Sequence, residues 1–454
     1  MEQLLEKKKF LWHCLLWVGV GLVVGYCAKF FAGASAIGSA DELAKISSGD
    51  TAWMLASSAL VMIMTPAVGF FYGGMVSAKN VVSVIKQSMI ILALISVQWV
   101  VIGYSLAFGP DTGNGIIGSL ANFGLRGVGF APDPNYAATI PALVFMIFQA
   151  MFAIVTPALI IGAFVERIKF KTLVVFTLLW ATLVYDPVAH WVWSPSGWLH
   201  AMGALDFAGG TVVHMTAGFS ALAAAMLVGK RISTTHVGST ANNVPFVILG
   251  AALLWFGWFG FNAGSALSAG ALAASAFVVT NTAAAAAALT WVALSWAENR
   301  KASAMSAAIG AVCGLVAITP ASGYVGPVAA IAIGIIGGAV TYLAVYIRGR
   351  AIKIDDSLDV WAGHGMGGLT GALLTGIFAE KAINSAGADG WLFGNAHQLV
   401  VQLEAVAAVG IFSFAATWII LKVLTAVGFQ LRVSSEDEEQ GLDMAVHGET
   451  GYRM

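Results

Sequence analysis

Long apolar runs that are almost free of charge recur along this chain, and they leave few folds open to it. Most reach or exceed the ~20 residues that an α-helix needs to cross a bilayer core. Inside hydrocarbon every backbone N–H and C=O must be satisfied within the protein, so a spanning segment is either a helix or part of a closed barrel. These runs are continuous and do not alternate, which selects helices. Only 10% of residues are charged and 59% are hydrophobic, against roughly 25% charged in a soluble globular chain. The expected fold class is an all-α polytopic membrane protein.

The runs fall near residues 52–76, 87–108, 137–164, 172–189, 208–229, 244–264, 271–296, 303–319, 324–346, 360–379 and 398–425. Eleven spans follow. Lys79, then Arg167, Lys169 and Lys171, then Lys230 and Arg231, then Arg300 and Lys301, then Arg348, Arg350 and Lys353 occupy every second loop. The intervening loops carry mainly Arg126 and Lys381. Basic loops face the cytoplasm by the positive-inside rule, so the core is expected to start outside and end inside. Residues 1–45 stand apart: Glu6 and Lys7 to Lys9 precede an apolar run near 10–24 and the small-residue stretch AGASAIGSA. That order fits a secretory signal peptide, with an extra N-terminal helix as the alternative. The expected division is 1–45 as leader, 46–427 as the transmembrane domain and 428–454 as a cytoplasmic tail.

Two histidines sit deep in such runs. Asp206 leads by eight residues to His214, and Asp356 leads by eight to His364. After each come glycine, an apolar residue and a hydroxyl: Gly218, Phe219 and Ser220, and Gly368, Leu369 and Thr370. The loop charges make the fifth run enter from outside and the tenth from inside. Related motifs five spans apart in opposite orientation indicate inverted repeats, with the site near the midplane where the repeats meet. The expectation is two inverted five-helix repeats plus a closing helix. A polar, titratable ring at this depth marks a pathway by default.

Other features are less informative. Net charge is −1, which argues for no nucleic-acid partner. Cys14, Cys27 and Cys313 show no metal-ligand or disulfide spacing and read as small buried hydrophobes. Glycine is abundant, at 52 residues, as suits close helix packing in a membrane. No motif calls for a cofactor.

The segments GFFYGGMVSAKN (69–80), FQAMFAIVTPALIIGAFVERIKF (148–170), DFAGGTVVH (206–214), WFGFNAGSA (258–266) and HGMGGLTGALLTGIFA (364–379) resemble the ammonium transporter (Amt/Mep/Rh) family, in the right order along most of residues 50–450. The resemblance implies that Phe148, Trp193 and Ser265 form the outer vestibule that gathers the cation. It implies that Phe152 and Phe261 are a stacked pair closing the pore, and that His214 and His364 are twin histidines lining the lumen. Asp206 would stabilise recruitment without touching the cation. Trp193 precedes Asp206 by thirteen residues, one more than that family's spacing, and Trp191 is its neighbour. The tail segments EQGLD (439–443) and HGETGY (447–452) match a family segment that packs under neighbouring subunits of a homotrimer and takes part in control by PII-type regulatory proteins.

The implied substrate is ammonium or methylammonium, crossing the cell membrane through a multi-pass protein in contact with lipid. Aromatic faces attract a cation, by ~2 kcal/mol or more when desolvated. A dry lumen penalises a bare ion by many kcal/mol, far more than a neutral molecule. Ammonium can shed a proton and potassium cannot, so a hydrophobic tube can tell them apart. Neutral imidazoles would then give ammonia hydrogen-bond partners, with deprotonation outside the Phe pair and the proton passing through the His pair. As bare sequence, Asp206 is also a good helix N-cap, as are Asp356 and Asp359. Asp186 and His190, at the outer end of the fourth run, carry no assigned role. Two rivals remain: an ammonium sensor with the same recognition site, and an intramembrane metalloenzyme, against which no HExxH pattern occurs.

Overall fold

The computed structural model describes residues 2–31, 37–232 and 241–452. Among them there is no strand, only three isolated β-bridges, and helix accounts for the architecture. Each apolar run contains a helix, numbered here one to eleven in chain order: Ser48–Met75, Ala78–Phe108, Ala142–Ala163, Phe170–Ala201, Gly210–Val228, Val244–Ala263, Ala271–Asn299, Ala304–Ile318, Pro327–Ile352, Trp361–Met366 continuing as Gly367–Phe378, and Ala396–Ala426. Nine of these are long and apolar enough to cross a membrane. Helix eight, at 15 residues, is only ~22 Å long and is buried along most of its length.

Helix two begins at Ala78, several residues before its expected start. Lys86 is the reason: a charge reads as a boundary, yet this one sits inside the helix with its ammonium 3.2 Å from Nδ1 of His447. The N-terminal segment forms a helix, Glu2–Phe31, whose described side chains are almost all exposed. Cys14 lies on it and is exposed, so it is not the buried hydrophobe expected, whereas Cys313 is buried. The Cys27 side chain and residues 32–36 of the small-residue stretch lie outside the described residues.

Helix three sits at the centre and is buried on every face, as a helix apolar all round must be. Helices five and ten cross beside it, antiparallel. A Cβ on Gly218 would fall 2.1 Å from the Gly365 nitrogen, and one on Gly368 would fall 2.6 Å from the Gly210 oxygen. Only glycine permits backbones that close, and these contacts bring the two histidine segments side by side.

The basic loops gather on one face, around an arginine with no water contact. Arg167 donates to the carbonyls of Gly229 (2.8 Å), Ala163 (3.0 Å), Val165 (3.2 Å) and Asp355 (2.6 Å) and to the Ser357 hydroxyl (2.6 Å). It therefore ties the ends of helices three and five to the approach to helix ten. Beside it, Arg231 bridges Glu166 (2.7 Å) and Asp355 (2.8 Å). Burial pushes the Glu166 carboxyl up, but the Arg231 guanidinium and the Ser77 N–H outweigh it and leave its pKa below the ordinary value.

The tail docks on this same face. Val433 N–H donates to the Arg167 carbonyl at 3.0 Å, and Arg432 pairs with Glu438, whose other oxygen accepts Ile232 N–H. Asp443 accepts Val82 and Ser83 N–H at 3.1 and 2.7 Å, capping helix two. Tyr452 donates to Asn242 at 2.8 Å. The acidic tail is thus ordered by specific hydrogen bonds to its own chain.

Two outcomes follow from this packing. Gly218→Val should destabilise the fold by ~3 kcal/mol or more, since its methyl groups meet backbone that cannot yield. Arg231→Leu should cost ~3–5 kcal/mol by stranding Glu166 and Asp355, which are 11% and 9% exposed. Thermal unfolding in detergent reads both; a wild-type melting temperature for either variant refutes the corresponding contact.

Candidate functional site

Helices five and ten begin in the same way. Asp206 accepts N–H bonds from Gly209, Gly210, Thr211 and Val212 at 2.8, 2.6, 2.8 and 3.2 Å, where Gly209 takes φ +113 to let the chain fold back. Asp356 accepts the Trp361 N–H at 2.8 Å. Each cap opens a π-helical turn, Gly210–Met215 and Trp361–Met366, and each turn carries its histidine. A third π turn, Phe259–Ala263, carries Phe261 at the end of helix six. Such wide turns shift a side chain out of helical register and cluster at functional sites. Asp359 does not cap helix ten: it takes φ +56 and pairs with Arg348.

These turns aim the rings into one file. Trp193 stands 5.7 Å from Phe152 between ring centres, and Phe148 stands 4.9 Å from it, both edge-on. Phe152 meets Phe261 at 4.4 Å with the planes inclined by 42°, so the pair is tilted where a parallel stack was expected. Phe261 lies 5.8 Å from His214, and His214 lies 5.3 Å from His364. The histidine Nδ1 atoms are 3.3 Å apart. One must carry the hydrogen and the other accept it, which leaves one Nε2 with a lone pair and the other with a hydrogen. His214 Nε2 has no protein partner.

Trp193 Nε1 donates to the Asp206 carbonyl at 2.9 Å, so the cap and the indole are one unit. Trp191, by contrast, packs on Trp198 and Phe412 and donates to the Ile116 carbonyl. Ser265 donates to the Phe261 carbonyl at 2.8 Å, which leaves its oxygen lone pairs free to accept. His190 and Asp186 are tied elsewhere: His190 to Ala107 O and Asp111, and Asp186 to Gln98.

The space along the file changes abruptly. Between Phe261 and His364 the cavity is about 10 Å³, walled by apolar side chains such as Val68, Leu159 and Leu254. That is about the room one water-sized molecule needs, and no hydrated ion fits. Beyond His364 it opens to about 530 Å³, lined by Lys230, Arg231, Arg348, Asp355 and Asp359. Among the described residues no group of three His, Cys, Asp or Glu side chains is placed to hold a metal ion.

The sequence reading missed Trp258. Its ring stacks on His214 at 5.3 Å and 25°, and its N–H donates to Thr319 at 2.9 Å, which fixes the imidazole's face. Its position one turn before Phe261 on helix six is the signal that could have exposed it. The Gly218–Gly365 contact has no such signal, because it needs the crossing itself.

Known proteins converge on one family. Residues 52–452 match the Ammonium Transporter Family. An ammonium transporter of Bacillus subtilis is 48% identical over 405 residues, covering 89% of this chain and 98% of that protein. Ammonium transporter Amt1 of Archaeoglobus fulgidus is 48% identical over 408 residues, covering 90% of this chain and all of that protein. Among solved structures, Mep2 of Saccharomyces cerevisiae superposes with a TM-score of 0.81 at 38% identity, covering 86% of this chain and 89% of that one. The chain belongs to the ammonium transporter family and is a multi-pass membrane protein.

Proposed function

We propose that this protein moves ammonium across the cell membrane by separating it into ammonia and a proton inside the ring file. The observation that carries the reading is the hydrogen-bonded pair His214–His364, buried at the end of a lumen with room for one small molecule and closed above by Phe152 and Phe261. An ammonium ion gathered by Trp193, Phe148 and the Ser265 oxygen gains cation–π attraction there. Going further intact, it would lose its hydration with no counter-charge, at a cost of several kcal/mol. Ammonia has no such barrier, and the free lone pair and hydrogen of the two Nε2 atoms give it one acceptor and one donor. The imidazole pair passes the proton by exchanging tautomers. Asp206 acts at one remove, holding the Trp193 indole and the helix start.

The same reading orders the surroundings. Motifs repeated around antiparallel helices five and ten support two inverted five-helix repeats closed by helix eleven, with basic loops and tail in the cytoplasm. Residues 1–45, whose described helix side chains are almost all exposed, act as a signal peptide or as an extra N-terminal helix outside the 46–427 transport unit, and 428–454 is a regulatory tail. A homotrimer with PII-type control is the arrangement this tail fits. One solved neighbour, at 32% identity and a TM-score of 0.79, is titled Sensor Amt Protein, so sensing through the same site is the second reading. Methylammonium uptake by cells lacking other transporters separates the two, since a sensor gives little flux.

Currents in proteoliposomes test the mechanism. Ammonium should evoke current and potassium should not. His214→Ala or His364→Ala should lower the ammonium current at least tenfold or admit potassium, and unchanged current with unchanged selectivity rejects the proton path. Trp193→Ala should raise the half-saturating ammonium concentration about tenfold, as loss of one desolvated cation–π contact predicts, with the maximal current changing less.

A further inference from the structure

A second pocket lies away from the ring file, where helix four starts and helix eleven ends. It measures about 310 Å³ and is lined by Lys169, Lys171 and Thr172 on one side and Val427, Gly428, Phe429 and Gln430 on the other. No acidic residue lines it, and neither lysine has a carboxylate partner among the described residues. The Lys169 ammonium rests on the Gln430 side-chain oxygen, and the Lys171 ammonium stands 5.4 Å from the Phe429 ring centre. Two cations are therefore held by neutral groups beside an open cavity. The volume matches the lower end of small-molecule sites.

What stands above the pocket identifies the occupant. Val427, which lines it, is 65% exposed, and Val423 and Ile419 continue the line at four-residue intervals with 51% and 60% exposure. On a helix that spacing is one face. The stripe runs from the pocket along an exposed apolar face of helix eleven, which acyl chains would meet in a bilayer. A phosphate between the lysines would thus sit at the foot of an apolar track. We infer that this pocket binds the headgroup of an anionic phospholipid, its phosphate between Lys169 and Lys171 and its chains along Val423 and Ile419.

The walls give such a lipid a second consequence. Lys169 N–H donates to the Leu431 carbonyl at 3.0 Å, and Ile168 and Arg432 form an isolated bridge. The pocket's far wall is therefore the first turn of the tail, and a bound headgroup would clamp the tail's root to helix four.

Native mass spectrometry of the full-length protein with phosphatidylglycerol, phosphatidylcholine and inorganic phosphate tests this. Phosphatidylglycerol should bind wild type more tightly than phosphatidylcholine does. K169Q/K171Q should lose about fivefold in that affinity per lysine, ~25-fold together. K422Q, a lysine outside the pocket whose ammonium covers Trp418, should keep wild-type affinity. Equal affinity for the two lipids, or wild-type affinity in K169Q/K171Q, overturns the assignment. Displacement of phosphatidylglycerol by millimolar inorganic phosphate also overturns it, since the site then takes free phosphate. Should the double variant not fold, a photoactivatable phosphatidylglycerol on wild type decides: labelling of residues 419–430 supports the pocket, and labelling only elsewhere rejects it.

Discussion

Two imidazoles joined nitrogen to nitrogen inside an apolar tube are the arrangement on which the rest of this molecule depends. Their 3.3 Å contact satisfies one polar atom of each buried ring. A buried polar group left unpaired costs a few kcal/mol, so either histidine alone would be a liability at this depth. The pair is tolerable only if two helices from distant parts of the chain meet at backbone distance. Gly218 against Gly365 and Gly368 against Gly210 provide that approach. Glycine's low helix propensity is the cost, and helix packing on all sides outweighs it here.

The alignment of rings rests on an irregularity. Phe261, His214 and His364 all lie in π turns, and two of these turns begin under an aspartate cap. A regular helix from Asp206 onward would rotate His214 away from its present bearing. The Asp206 carboxylate, taking four backbone N–H groups, stabilises the widened first turn and by the same bonds holds the carbonyl that receives Trp193. One carboxylate thus orients both the outer indole and the inner imidazole without lying between them.

Much of this was legible in the sequence because it is written in composition and spacing. Charge-poor runs announced the helices, and the repeated eight-residue step from aspartate to histidine singled out the two whose histidines meet. What could not be read belongs to contacts made only on folding. The tilt of Phe152 on Phe261, the face-on support of His214 by Trp258 and the Gly218 crossing involve residues from different helices, and π turns leave no mark in apolar periodicity. Lys86 shortened the expected second helix because a charge reads as a boundary, although its ammonium finds a partner in His447 of the tail. The order of the acidic tail rests on contacts of the same kind, since Asp443 and Glu438 each complete a particular set of N–H groups.

The basic face links these parts mechanically. Arg167 places all its donors on carbonyls and one hydroxyl, and burial draws its pKa down to about 10 although Asp355 lies nearby. Those carbonyls belong to the far ends of helices three and five and to the approach to helix ten, and its own carbonyl receives the tail at Val433. The tail at Val433 is therefore bonded to a residue that, together with Arg231, holds the ends of both histidine helices to each other.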